Sequence, residues 1–312
     1  MKIAIAGAGA MGCRFGYQLR LTGHEVLLID GWQDHIDAVR RDGLQINYNG
    51  KEVVSDLPMY APSELDTGYE AELIILFTKA MQLDDMLKAI KPIITNKTMV
   101  LCLLNGIGHE DILALHVKQE NILLGNTMWT AGMEGPGKIK LFGHGSVDLQ
   151  NLHPQGEAFA KQIASVLSAA DLNARYSDNV LHAIYKKACV NGTMNGLCTL
   201  LDANLAGIGA TSQGDAIICT IVDEIITVAK AEGIALDRQE ALANIRQTFN
   251  PDTIGLHYPS MYQDLIKNNR LTEIDYINGA ISRKGKKHGI PTPYCDFLTQ
   301  LIHCKEDILG AE

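Results

Sequence analysis

The sequence predicts an α/β chain in which a doubly wound parallel sheet is followed by an all-helical domain. Three observations predict it. Short apolar runs alternate with helical patterns over the first 130 residues, as in strand–helix–strand units. A glycine-rich turn, Gly7-Ala8-Gly9-Ala10-Met11-Gly12, joins the first such run to the first helical pattern. No strand-like run follows Asp178, where only helical periodicity remains.

In order, residues 2–6 read as a strand, 10–22 as a helix, 25–29 as a strand and 34–41 as a helix. Residues 44–48 and 51–54 flank Asn49-Gly50, the strongest short hairpin signal. Residues 72–77 and 99–104 are continuous apolar runs, as strands covered on both faces are, with a helical pattern over 81–90 between them. Over 121–150, glycines at 132, 135, 137, 143 and 145 punctuate short β-like segments, read as an antiparallel extension of the sheet. Helical patterns then cover 156–170, 182–201, 215–232, 237–248, 274–288 and 294–309. The expected domains are residues 1–174 and 175–312.

Composition agrees. A chain of 312 residues suits two domains. With 46% hydrophobic and 20% charged residues, it is no disordered chain. Its 27 Lys+Arg against 36 Asp+Glu leave a net charge of −9, which argues against a nucleic-acid partner. The longest stretch free of charged residues, 188–201, has 14 residues, short of the roughly 18–20 a membrane span needs. The uncharged run after Lys2 carries Gly7, Gly9 and Gly12, which suit a turn better than a signal peptide. Seven cysteines with no C-x-x-C read as reduced, mostly buried thiols of a cytoplasmic protein. The ten histidines show no metal-ligand spacing, so no metal is expected.

The turn Gly7-Ala8-Gly9-Ala10-Met11-Gly12 is G-x-G-x-x-G in the strand–turn–helix context that dinucleotide binding requires. Gly7 permits the turn, Gly9 lets the backbone approach a pyrophosphate, and Gly12 lets the helix pack on the strand. The helix N-terminus offers N–H groups to the phosphates. Asp30 ends the second strand, where a carboxylate bonds the adenosine ribose hydroxyls and repels a 2′-phosphate. This favours NAD, with NADP as the alternative; the other reading of Asp30 is a helix cap. Thr78 and Lys79 follow the third parallel strand, where Lys79 reaches cofactor phosphate or ribose, or is a solvated lysine at a helix start. Asn105, in Leu104-Asn105-Gly106, either bridges nicotinamide and substrate or is half of a turn pair.

In the helical half, Lys187, Asn191 and Asn195 are four apart and share one face of an otherwise apolar helix. Buried polar groups need partners, so this stripe is a substrate site or an internal network. Ser260 precedes a helix-like segment. Thr272 reads as an N-cap, which puts Glu273 in the first turn of the helix.

Together these segments resemble the ketopantoate reductase family over essentially the whole chain. The resemblance rests on G-x-G-x-x-G, Thr78-Lys79-Ala80, Leu104-Asn105-Gly106, the Lys-x3-Asn-x3-Asn helix, Ser260-Met261-x-Gln263-Asp264 and Thr272-Glu273-Ile274-Asp275-x-Ile277-Asn278-Gly279. It implies a Rossmann domain and a helical domain with the active site in the cleft between them. It also implies Lys187 as general acid, Asn105 on nicotinamide and substrate, Asn191, Asn195 and Ser260 on the substrate's polar groups, and Glu273 orienting the substrate or Lys187. The nucleotide falls to Gly7, Ala8, Gly9, Ala10, Met11, Gly12, Asp30, Thr78, Lys79 and Asn105. Biosynthetic members of the family use NADPH, and Asp30 departs from them. The segment between Asp264 and Glu273 looks one residue longer than the family pattern. The family also holds NAD-dependent D-2-hydroxyacid dehydrogenases of the D-mandelate kind. The expected activity is therefore reversible, NADH-dependent reduction of C3-branched or aromatic 2-oxo acids to D-2-hydroxy acids. The alternative is NADPH-dependent 2-dehydropantoate reduction in pantothenate biosynthesis. A nucleotide sensor without chemistry would have no use for Lys187. The expected partners are a small 2-oxo acid and a second copy of the chain, with no membrane.

Overall fold

The structure, a computed structural model, describes residues 1–311. The chain divides into two units, one of residues 1–104 and 109–180, the other of residues 105–108 with those from 181 onward.

In the first unit the strands are β1 (Lys2–Ala6), β2 (Glu25–Ile29), β3 (Leu44–Tyr48), β4 (Lys51–Ser55), β5 (Met59–Tyr60), β6 (Leu73–Leu76), β7 (Met99–Cys102), β8 (Ile122–Thr127), β9 (Thr130–Gly135), β10 (Lys138–Phe142), β11 (Val147–Asn151) and β12 (Ala174–Tyr176). The helices are α1 (Ala10–Leu21), α2 (Gln33–Asp42), α3 (Leu83–Ala89), α4 (His109–Leu113) and α5 (Glu157–Ala169). Eight strands form one sheet in the order β12-β11-β8-β7-β6-β1-β2-β5. Every neighbouring pair is parallel except β8–β11. β6 and β7 are buried along their whole length, as their unbroken apolar sequences require. Ile3, Ile5, Phe15, Leu28, Leu73 and Leu101 fill the core around them. Burial of each such side chain contributes about 1.5–3 kcal/mol before entropy is counted.

The register matters for function. Ala6 is paired with Ile29 on one side and Leu76 on the other. The carboxyl ends of β1, β2 and β6 are therefore level, and the glycine turn, Asp30 and Thr78-Lys79 leave the sheet at one edge.

The segment over 121–150 corrects the expected antiparallel extension. Only β11 extends the main sheet that way. β9 and β10 join the β3–β4 hairpin in a second sheet, ordered β4-β3-β10-β9, with β10 parallel to β3. The cause is burial on a single face. β10 alternates exposed and buried residues, and Ile139 and Leu141 join Leu44 and Ile46 in the core. Such a strand has no place in a sheet covered on both faces. Asn49 and Gly50 turn the hairpin with φ of 51° and 86°. The short edge strands β5 and β12, two and three residues long, carry too little periodicity to be read. The expected helix over 81–90 opens with a 3-10 turn, Ala80–Gln82.

The second unit is helical: α6 (Val180–Leu201), α7 (Leu205–Gly209), α8 (Gly214–Ala231), α9 (Arg238–Gln247), α10 (Ser260–Tyr262), α11 (Asn278–His288) and α12 (Pro293–Leu309). Ile107 of the short segment shares its core with Cys189, Ile221, Ile225, Ile245 and Leu298. The helix expected over 274–288 is interrupted. A 3-10 turn covers Ile274–Tyr276, and Ile277 breaks from helical geometry with ψ near −93° before α11 begins. The buried Asn278 side chain explains the break, because it donates to the Gly192 carbonyl of α6 at 2.8 Å. Among the described residues, no helix is long and apolar enough to cross a membrane.

Candidate active site

In the first unit the site begins with backbone. Gly7 adopts φ +94°, and a Cβ there would lie 2.4 Å from the Thr78 nitrogen. A Cβ on Gly12 would lie 2.1 Å from the Gly7 carbonyl oxygen. These two glycines are required by the protein itself. Gly9 is different, since a Cβ there would meet nothing within 4 Å. The space over Gly9 is the cradle a pyrophosphate would fill. Gly9 is also the N-cap of α1, no side chain caps that end, and the first turn carries no acid. Ala10 and Met11 thus present the start of a helix to an anion. Ala8 is held from behind: buried His35 lies 3.0 Å from its carbonyl through Nε2 and accepts from the Gly137 N–H at 2.8 Å through Nδ1. That pattern fixes a neutral imidazole with its proton on Nε2, and burial lowers the pKa in the same sense.

Contrary to its alternative reading, Asp30 does not cap α2: the N-cap is Trp32, with no side-chain hydrogen bond, and Asp30 holds only the turn before the helix. Its carboxylate accepts from the Trp32 N–H at 2.9 Å, and α2 starts at Gln33. One oxygen suffices for that bond. Both arginines of α2 are paired with carboxylates in this structure. Arg40 grips Glu64 through both terminal nitrogens, at 3.0 and 2.6 Å, and Arg41 holds Asp42 at 2.8 Å. Thr78 is buried, and its hydroxyl has no hydrogen-bond partner among the described residues. Lys79, half-buried, precedes the 3-10 turn at Ala80. A glycine cradle, an uncapped helix, the Asp30 carboxylate and an orphaned hydroxyl at one sheet edge fit a nicotinamide dinucleotide.

In the second unit the site is made of side chains. The Lys187 ammonium donates to Asn105 Oδ1 at 2.9 Å, across 82 residues of sequence. Burial pushes the Lys187 pKa below the usual lysine range, and the Glu273 carboxylate pulls weakly the other way. Asn105 is brought there by the segment behind it. Gly106 has φ +104°, and a Cβ would lie 2.5 Å from the Tyr276 carbonyl oxygen, which also accepts from the Ile107 N–H at 2.8 Å. The same turn carries Glu273. Asn191 and Asn195 continue the Lys187 face of α6, half-buried and buried respectively. Among the described residues, neither amide side chain is spent in a hydrogen bond. Ser260 opens α10 with an exposed side chain and is bonded to none of these groups.

One local expectation is corrected. Thr272 caps by accepting from the Ile274 N–H at 3.3 Å, so Glu273 stands before the 3-10 turn and not inside a helix. The segment after Ser260 runs into a π turn, Gln263–Lys267. Sequence reasoning missed the anchor of the Glu273 turn. Buried Glu306 of α12 accepts from the Thr272 N–H at 2.7 Å and contacts His303 at 2.7 Å, and His303 reaches Asp275 at 3.1 Å. A His-x-x-Glu pair on a helix carries no sequence signal that separates an anchor from a solvated face. His35 was equally silent.

Known proteins bear on both halves. The family model described as ketopantoate reductase PanE/ApbA matches residues 3–154, and its C-terminal model matches residues 179–306. A 2-dehydropantoate 2-reductase of Lactococcus lactis subsp. lactis is 60% identical over 312 residues, covering 100% of both chains. One of Pyrococcus abyssi is 34% identical over 99% of both. A D-mandelate dehydrogenase, solved as a ternary structure with NADH and anilino(oxo)acetate, is 62% identical over 100% of both chains, with a TM-score of 0.93.

Proposed function

Because the chain belongs to the ketopantoate reductase PanE/ApbA family, it is an NAD(P)-dependent oxidoreductase acting on 2-hydroxy acids, and we propose that it is an NADH-dependent D-2-hydroxyacid dehydrogenase of the D-mandelate type. It reduces C3-branched or aromatic 2-oxo acids. The observation that carries the chemistry is the half-buried Lys187 ammonium held on Asn105. The choice of branch is supported by Asp30, with Arg40 and Arg41 already committed.

The glycine turn from Gly7 to Gly12 and the start of α1 hold the pyrophosphate, Asp30 the ribose diol, and Thr78 and Lys79 the facing edge. The bound nicotinamide supplies or accepts the hydride. Lys187 gives its proton to the carbonyl oxygen as negative charge builds there, and its depressed pKa makes that proton easier to lose. Asn105 aims the ammonium. Asn191, Asn195 and Ser260 hold the substrate carboxylate with neutral donors. Glu273 balances the cation. In the oxidising direction neutral Lys187 takes the hydroxyl proton. A pocket without a second cation rejects dicarboxylates, since a second carboxylate would be desolvated unpaired. A homodimer is supported by the exposed Tyr294, Phe297, Leu301 and Ile308 along α12, and a cytoplasmic setting by seven free cysteines.

The second reading is an NADPH-dependent 2-dehydropantoate 2-reductase of pantothenate biosynthesis, favoured by the name of the Lactococcus relative. Rates with NADH and NADPH, each against ketopantoate, benzoylformate and 2-oxoisovalerate, separate the two. NADH with benzoylformate, giving the D product, is the expected best pair. A tenfold preference for NADPH with ketopantoate would replace the first reading by the second.

A further inference from the structure

Trp32 is out of place by ordinary surface rules. It stands two residues beyond Asp30, at the carboxyl edge of the sheet, with 41% of its surface exposed. Its indole lies nearly flat on the His35 ring, with centroids 5.4 Å apart and planes inclined by 24°. His35 is fully buried and bonded on both nitrogens, so the indole rests on a fixed base. Its own backbone N–H is fixed on the Asp30 carboxylate. A large aromatic ring is therefore held rigidly, with one face covered and solvent access to the rest. The ribose hydroxyl that a carboxylate at Asp30 binds is on the carbon next to the one bearing the base. An adenine attached there leaves the ribose beside the residues that follow Asp30, and Trp32 is two residues on.

We propose that Trp32 is the adenine shelf of the nucleotide site: the base of the dinucleotide stacks on the open face of its indole. The inference rests on Asp30 as the ribose anchor. Stacking on a preset aromatic favours any adenosine ligand, since it reads the π-face of the base. The shelf also accounts for an indole and not a cation at the residue before α2, since no 2′-phosphate is to be met beside it.

The chain has two tryptophans, which makes the test direct. The other, Trp129, lies under the Arg14 guanidinium, and its Nε1 donates to the Leu172 carbonyl at 2.7 Å. Titration with ADP-ribose, which has no nicotinamide, should quench indole emission in the wild type and in Trp129→Phe, and leave Trp32→Phe unquenched. By calorimetry Trp32→Ala should bind ADP-ribose about tenfold more weakly, the scale of one lost base–aromatic stack. Trp32→Phe should keep most of the affinity. Reduced nicotinamide mononucleotide, which has no adenine, should bind wild type and Trp32→Ala alike. Equal affinity of wild type and Trp32→Ala for ADP-ribose, with Asp30→Ala weakened, would overturn the shelf and leave the ribose anchor standing. Equal weakening of both ligands by Trp32→Ala would also overturn it, as a general loss of shape. A wild type that binds no ADP-ribose takes the shelf and the anchor down together.

Discussion

The two units build their halves of the chemistry from different material. The first rests mainly on main chain: a turn whose glycines are fixed by contacts of 2.1–2.4 Å that a Cβ would make, and a helix end without a cap. The second uses side chains gathered from Asn105, Lys187 and the Glu273 turn, whose order depends on hydrogen bonds among distant residues. A site of the first kind is compact in sequence and fails all at once when its backbone is crowded. A site of the second kind is dispersed and loses its parts one at a time.

The largest way to press that contrast is Lys187→Ala. It should lower kcat by about 10²-fold or more, the usual cost of a lost general acid. ADP-ribose binding should stay within twofold, because the nucleotide half does not use Lys187. Equal losses in kcat and nucleotide affinity would dissolve the division of labour.

Next comes a pair of glycine variants within one turn. Gly12→Ala should cost about 1–3 kcal/mol of stability by overpacking, seen as a lower Tm. Gly9→Ala should melt like the wild type and yet bind ADP-ribose about tenfold more weakly, a loss of about 1.4 kcal/mol. A Gly9→Ala protein that binds normally would show that the space over Gly9 holds no phosphate.

These cases also show what the sequence could and could not reveal. The glycine turn, the doubly buried β6 and β7 and the long helices were legible because their signals are local: spacing, periodicity and an Asn-Gly turn. The second sheet was not, since pairing β10 with β3 joins segments about 90 residues apart and leaves no local trace. The site splits the same way. Lys187, Asn191 and Asn195 announce themselves by helical spacing. Glu306 and His303 look like any polar face of α12 until Thr272 is found against them.

A smaller effect tests the charge balance around Lys187. Its lowered pKa means the ammonium loses its proton earlier on raising pH than an exposed lysine does. The reduction rate should therefore fall as pH rises through that depressed value, and the oxidation rate should climb over the same interval. Glu273 holds the value up, so Glu273→Gln should move both curves to lower pH. A shift to higher pH, or none, would remove Glu273 from the electrostatics.

The smallest concerns the anchor. Burial opposes the charge on His303, but hydrogen bonds to Glu306 and Asp275 raise its pKa above the ordinary value. Protonated His303 thus stabilises the folded state fully below the unfolded pKa, and this stability is lost as pH rises through the raised value. The ring is partly exposed, so His303→Ala should cost only about 0.5–1 kcal/mol at acid pH and nothing at alkaline pH. Denaturant midpoints at the two extremes measure it. A cost that is the same at both would make the contact mere packing.

The segment 105–108 belongs by its contacts to the second unit, yet it is made in the middle of the first. On a ribosome the Ile107 N–H must wait for the Tyr276 carbonyl, which follows 169 residues later. At about 5–20 residues per second that is a delay of roughly ten to thirty seconds. The first unit ends at residue 180, so it can be complete for the last 96 residues of that wait. The first unit is thus made before the turn that fixes the Asn105 segment from behind has been synthesised.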